Sequence, residues 1–272
     1  MQHALAPTCA ARLFGVALLL TPWMLQACDA RKASVEPRVE SKAESKPVAI
    51  PELPEHGVYG TCEPGDGGSG KTYMGREIAE VMGHFGVGWL ERSTREREER
   101  TDLLVDALRL TPAFAVADIG AGSGYFTFRI APHVGEGVVY ATDIQQEMLD
   151  IIKERALEEG ALNVMPVLGT IEHCGLAPQS VDLVLFVDAY HEFSHPYEMM
   201  RSIVEALKPD GRVYLVEYRL EDPTVEIKLR HKMSEEQARR EMDAVGLAFV
   251  ENIAVLPQQH ILVFRRVGKK SS

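Results

Sequence analysis

Residues 114–126 read Phe-Ala-Val-Ala-Asp-Ile-Gly-Ala-Gly-Ser-Gly-Tyr-Phe, and this stretch decides the fold. A short apolar run, the length of a buried strand, gives way to Gly120, Gly122 and Gly124 and then to a helical stretch reaching about Pro132. Glycine belongs there for two reasons. A tight strand-to-helix turn uses backbone angles closed to other residues, and a bound ligand must approach the main chain closely. The spacing is not that of a dinucleotide fingerprint, because counting G-x-G-x-x-G/A from Gly120 puts Tyr125 at the last position. Asp118, a carboxylate at the strand end, would repel a pyrophosphate and suits a ligand carrying a cationic amino group.

Working outward, strands and helices alternate. Residues 138–143 (VVYATD), 163–168 (NVMPVL), 181–187 (VDLVLFV) and 211–218 (GRVYLVEY) read as strands two to five, with helices over 146–157, 196–207 and 234–245. Two further apolar runs, 248–256 and 260–265, follow without a helix between them. Upstream, YMGREIAEVMG from Tyr73 and GWLERSTREREERTDLLVDALRL read as helices, the charge run being a solvated face. Alternation of this kind implies parallel βαβ units with right-handed crossovers. The expected fold is therefore α/β: a doubly wound, seven-stranded, Rossmann-like sheet, mostly parallel with an antiparallel C-terminal hairpin. Such sheets bind ligands beyond the carboxyl ends of their strands. The second strand ends at Asp143, nineteen residues after Gly124, where a carboxylate can accept both hydroxyls of a ribose.

VADIGAGSGYFT, VVYATDIQQEML, VDLVLFVDAYHEF and ALKPDGRVYLVEY, in that order, resemble the class I S-adenosylmethionine-dependent methyltransferases, in particular the small-molecule group that includes quinone-biosynthesis enzymes. The resemblance spans residues 73–266 and implies S-adenosyl-L-methionine as cofactor. It places Gly120, Gly122 and Gly124 along the methionine moiety, Asp118 at its amino group through water, and Asp143 at the ribose. Ile144 and Met148 would pack on the adenosine; ordinary core packing explains them equally well. The acidic residue that the family often has after strand three is replaced by Gly169-Thr170-Ile171-Glu172, leaving Thr170 or Glu172 for the adenine amine.

The transferred methyl would face Asp188-Ala189-Tyr190-His191-Glu192. Methyl transfer needs alignment of nucleophile and methyl, and removal of a proton when the nucleophile is an alcohol, phenol or carbon acid. His191 is then a candidate base and Tyr190 a candidate for positioning substrate; alternatively His191 packs or caps the next helix. Asp188, at a strand's carboxyl end, is expected to touch cofactor or substrate. Tyr73, Arg76, Trp89, Arg92, Arg230 and His231 lie on segments outside the sheet and either select the acceptor or form a lid.

The formal charge of −11 excludes a nucleic-acid backbone as the main partner, since that needs clustered Lys and Arg. No Cys or His spacing signals a metal. Arg12 followed by the apolar run of residues 13–25 has the size of a signal-peptide core, and Leu25-Gln26-Ala27-Cys28 is similar to a bacterial lipobox. Lipidation at Cys28 would anchor the chain on the periplasmic side of the cell envelope; initiation at Met24 would leave it cytoplasmic. The expected divisions are signal and lipobox over 1–28, tether and Gly-rich hinge over 29–72, N-terminal helices over 73–112, and the cofactor domain over 113–268. Export raises a supply problem, because the cofactor is made in the cytoplasm. A non-catalytic cofactor-binding module is the alternative function. Cys62 and Cys174 are the cysteines left to pair.

Gly65-Asp66-Gly67-Gly68-Ser69-Gly70-Lys71-Thr72 matches the phosphate-loop pattern, and VDLVLFVD at 181–188 resembles the acidic strand that accompanies it. The segment before Gly65 is broken by Gly and Pro, so no buried strand feeds the loop. It reads as a hinge, with Lys71 near the mouth of the site, and not as a nucleotide site.

Overall fold

The computed structural model describes residues 59–267; the signal segment, Cys28 and the tether up to residue 58 lie outside the described residues. The chain begins with three strands, β1 (Tyr59–Thr61), β2 (Gly68–Tyr73) and β3 (Arg76–Ala79), which form an antiparallel sheet of their own. Short helices follow: α1 (Val87–Leu90), α2 (Arg95–Glu99) and α3 (Thr101–Ala107). The main sheet is built from β4 (Ala115–Ile119), β5 (Val138–Asp143), β6 (Val164–Leu168), β7 (Val181–Val187), β8 (Leu207–Arg219), β9 (Lys232–Met233), β10 (Leu247–Ile253) and β11 (Gln259–Arg266). Its helices are α4 (Tyr125–Ile130), α5 (Gln146–Glu159), α6 (Pro196–Ala206) and α7 (Glu235–Asp243).

The strand order is β10-β11-β8-β7-β4-β5-β6, with β9 pairing alongside β8, so the sheet has eight strands where seven are expected. β4 through β8 run parallel, and β11 is antiparallel to both β8 and β10. β4 and β7 are almost wholly apolar and buried because helices cover both faces. One face packs on α6 and α7 through Met199, Met200, Ile203, Ala238 and Met242; the other packs on α3, α4 and α5 through Leu104, Phe126, Phe128, Leu149 and Ile152. The chain leaves β4 first toward β5 and then crosses to β7 on the other side, which opens a crevice at their carboxyl ends.

Two N-terminal expectations are corrected. The hinge and the helix expected from Tyr73 are strands. Met74 and Gly75, with φ of 49° and 87°, form a two-residue turn that pairs Tyr73 with Arg76. Ile78 and Tyr73 then enter the core, so the apolar spacing belongs to a hairpin and not to a helix. The helix expected near residues 88–110 is broken at Arg100, whose φ of 52° separates α2 from α3. Cys62 is an exposed free thiol and Cys174 a buried one, so they do not pair. No helix among the described residues is long and apolar enough to cross a membrane.

Candidate active site

At the carboxyl ends of β4, β5 and β7 lies an open cleft. Gly120 and Gly122 form one wall, with φ of 71° and 56°. At Gly120 a side chain would place its Cβ 2.8 Å from that of Ala189, so the turn and β7 meet too closely for anything larger. The Asp143 carboxylate ties this wall to the next strand: Gly122 N–H donates to Oδ2 and Gln145 N–H to Oδ1, each at 2.9 Å. Burial pushes the Asp143 pKa up, and the backbone donors pull against it. Ile144 and Met148 line the same cleft, as do Gly169 and Ile171.

Residues 81–90 cover the opening. The Gln145 amide donates to Met82 O at 3.0 Å and accepts from His84 N–H at 2.9 Å, fastening the cover to the end of β5. Val81, Met82 and Leu90 thereby become part of the wall. Lys71 donates to Ser194 O at 2.6 Å; Ser194 lines the cleft, and Lys71 itself does not.

Asp188 has a φ of 50°, which few non-glycine residues adopt. Its Oδ2 accepts from Gln259 Nε2 at 3.0 Å, while its Oδ1 is buried without a hydrogen-bond partner. Burial, then the negative charges of Glu99 and Glu217, raise its pKa well above the usual carboxylate range. Glu192 also lines the cleft; it accepts from Met82 N–H at 3.1 Å, and burial raises its pKa too.

The structure thus brings Gly120, Gly122, Asp143, Ile144, Met148 and Asp188 together at the cleft. It places the other sequence candidates elsewhere. Asp118 is buried behind the turn, where its Oδ2 accepts from Thr127 Oγ1 at 2.6 Å; burial, with Asp143 adding to it, lifts its pKa to about 6. Gly124, at φ 80°, starts α4 and packs on Phe128 and Ile152. Thr170 accepts from the amides of Glu172 and His173 in a surface turn, and Glu172 is exposed. Tyr190 is fully buried among Phe186, Phe193 and Arg76.

His191 lies behind the cleft wall, 1% exposed. Its Nδ1 is 2.6 Å from Glu217 Oε2, and its Nε2 is 2.9 Å from His231 Nδ1. Burial pulls its pKa down, but the Glu217 carboxylate more than reverses this and the net direction is up. Sequence reasoning passed over Glu192, one residue beyond the Tyr190–His191 pair, and Gln145. Their lateral neighbours, Met82 and His84, come from a segment more than sixty residues upstream of Gln145, which local spacing does not reveal.

Residues 116–211 match the model of a methyltransferase domain. The chain is 31% identical over 134 residues to an uncharacterized methyltransferase of Bacillus subtilis, YcgJ, covering 49% of this chain and 52% of that protein. It is 32% identical over 109 residues to the ubiquinone/menaquinone biosynthesis C-methyltransferase UbiE of Ectopseudomonas mendocina, covering 39% and 43%. The chain therefore spans about half the length of the curated relatives it matches. A solved S-adenosylmethionine-dependent methyltransferase of Aquifex aeolicus superposes with a TM-score of 0.65 at 20% identity, over 69% of this chain and all of its own. The fold is that of the S-adenosylmethionine-dependent methyltransferases, and the sequence matches to methyltransferases are confined to part of the chain.

Proposed function

We propose that this protein transfers a methyl group from S-adenosylmethionine to a small-molecule or lipid-like acceptor. The observation that carries the reading is the Gly122–Asp143 bond in the cleft wall: a glycine turn held by a carboxylate whose hydrogen-bond partners are neutral amides. Asp143 keeps lone pairs for the two hydroxyls of a ribose, and Gly120 and Gly122 let a ligand approach the backbone. Ile144, Met148 and Ile171 give an apolar bed for a base. Asp188 Oδ1, buried without a partner, fits a donor from cofactor or acceptor. The bound cofactor supplies an electrophilic methyl on a sulfonium.

The residues of the chain then align the acceptor and exclude water through the cover of residues 81–90. The carboxyls of Asp188 and Glu192 bind a proton more tightly than ordinary carboxylates, which suits them to take one from an acceptor hydroxyl. His191 supports Glu192 from behind, its Nε2 standing 3.9 Å from Glu192 Oε1.

We place the protein at the cell envelope, anchored through lipidated Cys28, on the strength of the apolar run over 13–25 and Leu25-Gln26-Ala27-Cys28. Membrane fractionation of wild type against Cys28→Ser tests this, and an unchanged soluble distribution refutes the anchor. For the activity, calorimetric titration with S-adenosylmethionine and separately with ATP and Mg²⁺ is decisive. Binding of the first and silence with the second is the expected result. No heat with S-adenosylmethionine would end the methyltransferase reading.

A further inference from the structure

His191, Glu192 and His231 converge behind the cleft wall, their potential ligand atoms all within 4.8 Å of one another. Two of the three donors are held from the rear. The Nδ1 of His191 faces Glu217 Oε2 at 2.6 Å, and the same carboxylate accepts from His191 N–H at 3.2 Å. Glu217 is 0% exposed and sits on β8 in the middle of the sheet, so this imidazole has little freedom to turn. With Nδ1–H donating to Glu217, Nε2 is left as a lone-pair donor. His231, on the one-turn helix Leu229–His231, stacks edge-on against His191, with ring centroids 4.9 Å apart and planes at 77°. Glu192 uses Oε2 for the amide of Met82 and turns Oε1 to within 3.9 Å of His191 Nε2.

We propose that His191, Glu192 and His231 form a binding site for a divalent cation of the zinc class, with Glu217 as the orienting partner of His191. Two imidazoles and one carboxylate are a donor set that zinc favours, and three protein ligands leave a fourth position for an exogenous oxygen. A tetrahedral ion with ligands at about 2.0–2.1 Å separates its ligand atoms by about 3.3 Å; the pairs here stand 2.9 Å and 3.9 Å apart with none beyond 4.8 Å, so an ion would replace the His191–His231 hydrogen bond and draw the three groups together. A carboxylate behind a ligating imidazole is the usual second partner in such sites. Local spacing gives no sign of this cluster, because His231 stands forty residues from His191. The parallel pairing of β7 with β8, and the return of the segment after β8, bring the two together.

Glu192 belongs both to this cluster and to the cleft wall, so an ion held here sits at the cleft edge. On the methyl-transfer reading, that position suits an acceptor with an oxygen donor, such as a phenol or hydroxy acid. The ion would bind that oxygen and lower its pKa, leaving Asp188 to take the proton.

The test uses the full chain made without a histidine tag, stripped with chelator, and titrated with Zn²⁺ alone in competition with a chromophoric chelator. One ion per chain is expected. His231→Ala, at a half-buried position outside the core, weakens binding at least about 100-fold, and Glu217→Gln weakens it about 10–100-fold. Should His231→Ala fail to fold by circular dichroism, Glu192→Gln replaces it with the same expectation. Absence of stoichiometric zinc, or variants that bind as tightly as wild type, overturns the proposal. S-adenosylmethionine is titrated into the same stripped samples. Cofactor binding without zinc overturns the metal site alone, whereas zinc without cofactor binding overturns the methyltransferase reading and leaves the metal site standing.

Discussion

Two glycine-rich loops in this chain wrap a carboxylate with backbone amides, yet they end as different objects. In the first, Gly65 and Gly70 donate to Glu77 Oε1 at 3.0 and 3.3 Å; in the second, Gly122 donates to Asp143 at 2.9 Å. Glu77 also pairs with Arg230, so the loop that matches a phosphate pattern is already closed on an internal anion with its own counter-charge. The amide of Gly65, working against desolvation, holds the Glu77 pKa below the usual range. Asp143 is buried, takes only neutral amides, and borders an open cleft. A carboxylate paired with a cation needs no further donor, whereas one held by amides alone still attracts hydroxyls. The surroundings of the carboxylate, not the count of glycines, distinguish a structural loop from a ligand cradle.

The variant that tests this contrast hardest is Asp143→Ala. It removes the acceptor for Gly122 and Gln145 and, on the proposed reading, for two ribose hydroxyls. Hydrogen bonds to a charged group contribute about 1.5–3 kcal/mol each, so two lost together weaken cofactor binding by about 100-fold or more. Calorimetry that finds the affinity within threefold of wild type would break the comparison at its stronger end.

Next in size is a pH effect at Asp118, the strand-end carboxylate that faces α4 and not the cleft. Its folded pKa, about 6, is above the ordinary carboxylate value of 3.8. Well below pH 3.8 both folded and unfolded chains hold the proton and no stability is lost. As the pH rises toward 6 the unfolded chain ionises first, so folding stability falls, and the loss levels off above the folded pKa. Two units at 1.36 kcal/mol each give about 2–3 kcal/mol. Asp118→Asn keeps an acceptor for Thr127 and removes this loss, so denaturant titrations show a flatter profile between pH 4 and 7 than for wild type. Cofactor affinity stays within about threefold, because the side chain does not line the cleft. A large affinity loss would return Asp118 to the ligand.

How much of this was legible in the sequence depends on the range of the contacts involved. β5 and β7 occupy the residues that the apolar runs mark, because a strand buried on both faces announces itself without help from the rest of the chain. The position of Asp143 at the end of β5 was legible for the same reason. The hairpin of β2 and β3 was not, since its apolar residues fit a helical period as well as an alternating one, and the Met74–Gly75 turn decides between them. For His191 the sequence left two readings open, a base or a packed side chain. Its place after β7 points to the cleft, but Glu217 on the neighbouring strand draws the ring behind the wall.

The smallest expected effect lies in the first loop, at Lys71. In a phosphate loop this lysine carries the charge that meets the phosphates. Here its Nζ donates to Ser194 O at 2.6 Å and lies 4.3 Å from the centre of the Tyr59 ring. Those contacts pin the N-terminal strands to the segment after β7, and together they contribute about 1 kcal/mol. Lys71→Ala therefore lowers the melting temperature by about 2–4 °C, as expected for a domain of this size, and leaves cofactor affinity within about threefold. ATP with Mg²⁺ gives no heat with either wild type or variant. Were wild type to bind ATP and the variant to lose it, Glu77 would have to leave the amides of Gly65 and Gly70 to make room for phosphate, and the first loop would be a ligand cradle after all.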